Sequence, residues 1–183
     1  MLNLIALLVA APFTLAPQSK LLLHGDSNLH EWDCTVPVTR SSVEIDKTSP
    51  ALVRSLTLQM AVASIECGND TMNGKLRDAL DAEKHPTIDY RFDSADRLPS
   101  DGVKLKTQGT LTVAGVPRGV TFTVDAAVEA DGSVIAMGTI PLMMHEVGVE
   151  PPTAMLGMMK TADRVTIKFE LRAVPAAATV PHA

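Results

Sequence analysis

Six of the nine methionines fall between Met137 and Met159. Met143-Met144-His145, followed by Met155, Met158 and Met159, supplies the soft sulfur and imidazole donors that copper(I) prefers. The same side chains, flexible and polarizable, also suit the wall or mouth of a cavity that accepts an apolar ligand, or ordinary core filling. The residues alone leave these three readings open. Cys34 and Cys67 are an even pair, which in an exported chain reads as one disulfide whose loop stabilises the fold by roughly 3 to 4 kcal/mol. Two separate buried thiols are the other reading, and with no Cys-x-x-Cys pair a redox role has no resolving thiol. The histidines His24, His30, His85, His145 and His182 stand singly, and His24, His30 and Cys34 match no standard zinc spacing, so no metal is assigned. A nucleophile elbow, a His-Glu-x-x-His helix, a phosphate loop and a dinucleotide fingerprint are all missing. The chain is therefore read as a non-enzyme with no catalytic residue.

The elements that must position these groups are strands. Apolar residues alternate with Thr, Lys, Asp, Glu and Gln over 56–62, 88–92, 103–113, 120–128 and 165–171, the period of a strand with one buried and one wet face. Weaker strands are predicted over 20–25, 42–46 and 133–142. Turn signals at Asp101-Gly102, Gly115-Val-Pro117 and Asp131-Gly132 separate them, too closely for parallel crossovers. About eight antiparallel strands close into an up-and-down barrel or stack as a two-sheet sandwich. One segment breaks the period: Met72, Leu76 and Leu80 predict an amphipathic helix over 69–82, capped near Asn69 and ended before Pro86.

The inward faces carry almost no ionisable group. They comprise Leu56, Leu58, Met60 and Val62; Ile88, Tyr90 and Phe92; Leu111; Val120, Phe122 and Val124; and Val165, Ile167 and Phe169. Inward Gly109, Ala126 and Gly138 are expected to leave space along the interior. A solid β core fits the same alternation.

The first sixteen residues are uncharged and apolar, too short to span a membrane as a helix, with small residues at Ala10, Ala11 and Ala16. They read as a signal peptide over 1–16; an uncleaved anchor and a misassigned start are the alternatives. The domain then occupies 17–174, and an Ala/Pro-rich tail over 175–183 is expected to be disordered. A net charge of −5 without a basic run, and 3% aromatic residues, argue against nucleic acid as a partner. With 46% hydrophobic and 20% charged residues, the composition is that of a globular domain.

Several motifs in chain order carry a resemblance. Gly25-Asp-Ser-Asn-Leu-His30-Glu-Trp32-Asp-Cys34 opens the domain, and Val62-Ala-Ser-Ile-Glu-Cys67 leads into Asn69-Asp-Thr-Met72. His85-Pro86-Thr-Ile88, Gly109-Thr-Leu-Thr-Val-Ala-Gly115-Val-Pro-Arg118-Gly-Val120, Gly148-Val-Glu-Pro-Pro152 and Thr161-Ala-Asp163-Arg-Val-Thr-Ile-Lys-Phe169 follow. This ordered set resembles the YceI-like family of bacterial exported proteins over about residues 20–171. The resemblance implies an all-β fold, an extended antiparallel lipocalin-like barrel with one or two short helices. It also implies a periplasmic or secreted location and an apolar interior that holds an isoprenoid, quinone-like or fatty-acyl chain. No catalytic residue comes with it, and the bound lipid is the only expected cofactor.

The leading expectation is a carrier or sequestering protein. Its cavity wall is inferred to include Leu58, Met60, Ile88, Tyr90, Phe92, Leu111, Phe122, Val124, Met143, Met144, Met155, Met158 and Phe169. Any polar head group is expected beside His145, Glu146 or Lys160, with a membrane or envelope-protein contact for delivery. A ligand-free interaction module of the envelope is the alternative, with copper handling a third reading.

Overall fold

A computed structural model describes residues 10–46 and 53–176. Eleven strands and one α-helix follow in chain order: β1 Ala10–Leu15, β2 Lys20–Ser27, β3 Trp32–Thr35, β4 Arg40–Asp46, β5 Val53–Ala61, α1 Asp70–Ala79, β6 Thr87–Leu98, β7 Val103–Val113, β8 Val116–Val128, β9 Val134–Met143, β10 Thr153–Ala154 and β11 Met159–Pro175. All pairings between these strands are antiparallel.

The sheet closes, which decides for the barrel against the sandwich. From β4 the ladder runs through β5, β6, β7, β8 and β9 to β11. β11 pairs with β2 over Thr161 to Glu170 and with β1 over Ala173 to Pro175. β2 and β1 pair in turn with β3 and β4. β1 and β2 thus form one interrupted wall strand, as do β3 and β4, making an up-and-down barrel of eight. The breaks fall at Pro17 and Pro37, which have no N–H to give to a ladder.

Up-and-down order sorts the connections between two ends. The β2–β3 turn, α1, the β7–β8 turn and the β9–β11 connection share one end, while the β4–β5, β6–β7 and β8–β9 turns share the other. At that second end Val43, Ile45, Val134 and Ala173 form a separate apolar cluster with Phe13, Leu15 and Leu56 around them. Arg172 and the backbone and hydroxyl of Ser133 all bond Asp131 there, and these contacts hold its carboxyl below the usual range, Ser133 contributing most.

The first nine residues of the expected signal peptide lie outside the described residues. Ala10–Leu15 is wall, and a cut at Ala16 would remove β1 together with Phe13 and Leu15 of the closing cluster. The tail reading lies outside the described residues from 177 onward; Pro175 is the last residue of β11.

The helix is shorter than its pattern predicts. Asn69 caps it, its side-chain oxygen accepting the Met72 N–H at 3.0 Å. It ends at Ala79, well before Pro86, because Asp81 enters the left-handed region at φ 48° and turns the chain. Residues 141–160 contain the end of β9, a 3-10 turn Met144–Val147, β10, a second turn Met155–Gly157 and the start of β11.

Candidate functional site

Alternation along each wall strand turns every second side chain inward, and these side chains do not meet in the middle. A cavity of about 460 Å³ remains inside the barrel. Ten of the thirteen expected wall residues line it: Leu58, Met60, Ile88, Tyr90, Phe92, Leu111, Phe122, Val124, Met144 and Phe169. Leu21, Leu23, Trp32, Val36, Leu105 and Val113 also contribute, as do Met72 and Leu76 of α1. Sequence reasoning left these eight out. The weak alternation over 20–25 points to Leu21 and Leu23, while four-residue β3 is too short to show a period.

Two expected wall residues lie elsewhere. Met144 continues the inward series Ile140, Leu142 and is buried; Met143, one residue out of phase, is absent from the wall. Met158 is 69% exposed on the turn before β11. The third, Met155, has its side chain outside the described residues. Met144 is buried in the wall, while His145 is exposed and bonds Asp163 through Nδ1. Among the described residues no three His, Cys, Asp or Glu side chains gather as a metal site.

The interior is narrowed by aromatic rings. Tyr90, Phe122 and Phe169 reach in from β6, β8 and β11, with Phe122 at 6.1 Å from the Tyr90 centroid and 5.7 Å from that of Phe169, the latter pair edge to face. Gly109 and Gly138, expected to leave room, house two of these rings. A Cβ at Gly109 would strike Tyr90, and one at Gly138 would lie 2.6 Å from Phe169 Cζ.

Two buried residues with hydroxyls interrupt the apolar wall. Thr107 is buried on β7, and the Tyr90 oxygen is buried without a hydrogen-bond partner. Burial pushes the Tyr90 phenol above its ordinary pKa, with the Asp93 charge adding to the effect, so it stays neutral. An unmade bond of this kind costs about 1–3 kcal/mol. Tyr90→Phe in lipid-free protein is therefore expected to raise stability by about 1 kcal/mol, read from the urea unfolding midpoint. A lower midpoint would show that the hydroxyl has a partner such as a buried water.

Most of the polar wall residues, Ser27, His30, Asn69, Lys75, Thr153 and Thr161, lie at the α1 end, which we infer to be the mouth. The Cys34–Cys67 disulfide ties β3 to the segment that enters α1. Thr35 and Glu66 exchange backbone bonds of 2.8 and 3.0 Å beside it. Buried Asn73 completes the anchor, accepting the Cys67 N–H and donating to Glu66, each at 2.7 Å. Across the mouth, Asn28 clasps the β11 approach by donating to the Met158 carbonyl at 2.8 Å and accepting the Lys160 N–H at 2.9 Å. Leu29, Leu156 and Met158 stand exposed on these two turns.

Of the residues expected beside a head group, two are engaged. His145 pairs with Asp163, whose carboxyl is held below its usual pKa chiefly by the His145 backbone N–H. Glu146 pairs with Arg118 at 2.9 Å. Lys160 is exposed and does not line the cavity.

A closed antiparallel barrel of eight strands around an apolar cavity, stapled at one end by a helix, defines the lipocalin-like class of β-barrels. Within that class the chain belongs to the YceI-like family, whose domain matches residues 19–173. Among curated proteins none matches it. Solved structures share the fold at low identity. Burkholderia cenocepacia BcnA is 23% identical with a TM-score of 0.71, the match covering 86% of this chain and 97% of that one. A polyisoprenoid-binding domain from Saccharophagus degradans, implicated in plant cell wall breakdown, is 15% identical at TM-score 0.67, covering 91% and 99%. The Campylobacter jejuni YceI protein is 20% identical at TM-score 0.58, covering 75% and 82%.

Proposed function

We propose that this protein binds a single apolar chain lipid, isoprenoid, quinone-like or fatty acyl, in the barrel and carries or sequesters it without changing it. The observation that carries this reading is the cavity of about 460 Å³ walled almost wholly by inward aliphatic and aromatic side chains. Its size falls in the range of small-molecule sites, about 300–1,000 Å³. The polyisoprenoid-binding domain from Saccharophagus degradans supports it through a common fold. The periplasm or the cell exterior suits such a carrier, because a disulfide persists in an oxidising compartment. No helix among the described residues is long and apolar enough to cross a membrane. Delivery would bring the mouth to a lipid surface, where Leu29, Leu156 and Met158 supply apolar side chains at the rim.

The mechanism is desolvation. Each methylene drawn inside contributes about 0.8 kcal/mol, close to fourfold in affinity, until the cavity is full. A chain-length series competing against an apolar fluorescent probe is therefore expected to show affinity rising several-fold per added methylene and then levelling off. Native mass spectrometry of the purified protein should show one added mass that organic solvent extracts as a lipid. Affinity independent of chain length, or exclusion of the probe, would overturn the reading and favour an interaction module without a ligand.

A further inference from the structure

Among the described residues that line the cavity, Lys75 is the one Lys, Arg, Asp or Glu. It lines the cavity from α1 together with Met72, Leu76 and Ala79 and is half-buried. The imidazole of His30, at the β2–β3 turn, belongs to the wall as well and is exposed. Of the other polar side chains at the mouth, those of Ser27 and Asn69 serve their own turns. The Ser27 hydroxyl donates to the His30 carbonyl at 2.8 Å and accepts the His30 N–H, and the Asn69 side chain caps α1. Lys75 has no such duty. Among the described residues it forms no ion pair, although Asp78 follows three positions later on the same helix.

A lysine stem can lie along an apolar lip while its ammonium reaches water at the edge. A chain lying in the barrel with its end at α1 would bring its head group to that edge, in a protein whose net charge of −5 disfavours anions elsewhere. We propose that Lys75 is the head-group site of the cavity and selects an anionic amphiphile, one apolar chain ending in a carboxylate or a phosphate, over neutral chains of equal length. The inference rests on the barrel binding a chain lipid and adds the charge and direction of the ligand: chain inward, anion at α1.

The test compares four probes in displacement of an apolar fluorophore at low salt: palmitate against hexadecanol, and geranylgeranyl phosphate against geranylgeraniol. The full chain is expected to bind at least one anion tenfold or more tighter than its alcohol, equivalent to about 1.4 kcal/mol. Added salt should narrow that gap. Lys75→Gln should bring the ratio of anion to alcohol affinity close to one; Lys75→Arg should retain the preference. A larger ratio for the phosphate pair would assign the site to isoprenoid phosphates, and a larger ratio for the palmitate pair to fatty acids. Equal binding of anion and alcohol by the unsubstituted chain, or a preference that survives Lys75→Gln, would overturn the proposal while the carrier reading stands. Failure of all four probes to bind would overturn both.

Discussion

Breaking the Cys34–Cys67 bond is expected to lower stability by about 3 to 4 kcal/mol, because the bond closes a 33-residue loop that the unfolded chain would otherwise explore freely. The comparison is between urea midpoints of oxidised and reduced protein. A Cys34→Ala/Cys67→Ala chain serves as a second reading that places no new hydroxyl in sites 1% and 6% exposed. The loss should be uneven. The bond holds β3 against the approach to α1, so without it the helix depends on the Thr35–Glu66 bridge and the Asn73 bonds. Amides of α1 should exchange faster on reduction, while those of β6, β7 and β8, paired on both sides in the wall, keep their protection. A loosened α1 also opens the mouth, so bound lipid should leave faster. An unchanged midpoint together with unchanged α1 protection would show that the packing of Met72 and Leu76 holds the cap unaided.

Much of this architecture is legible in the sequence, and the parts that are not fail for separable reasons. Period 2 over 56–62, 103–113 and 120–128 states which side chains share a face, and those faces became the cavity wall. It does not state what fills the space beyond. Gly109 and Gly138 read as gaps, yet each lies under a ring from a neighbouring strand, which only cross-strand register reveals. Closure was illegible for a similar reason: Trp32–Thr35 is too short to display a period, and Ala10–Leu15 sits in a stretch whose continuous apolarity resembles a leader. Continuing the alternation from Ile140 through Leu142 separates Met144 from Met143, a signal that the richness in methionine obscured. Lys75 is the hardest case. On an amphipathic helix a lysine reads as part of the solvated face, and only the β2–β3 turn and the β11 approach, brought together by the fold, turn its position into the mouth of a cavity.

The aromatic narrowing sets where the chain-length series should level off, and Phe122→Ala is the substitution that tests it. Phe122 touches rings on both sides, so its removal leaves Tyr90 and Phe169 without their common neighbour. Truncating a packed phenylalanine costs about 3–5 kcal/mol, and the lower end applies here because one face of Phe122 already borders open cavity. The urea midpoint should fall accordingly. Binding should change in a direction that depends on the ligand. Short chains lose contact with the ring and weaken modestly, whereas longer or branched chains gain room past the narrowing, and affinity should level off at a greater length. Phe122→Leu, which keeps most of the side-chain volume, is expected to fold with a smaller loss and to shift the levelling point less. A variant that folds, loses stability as expected and yet levels off at the same chain length would place the chain on one side of the Tyr90–Phe122–Phe169 cluster, confined between these rings and α1.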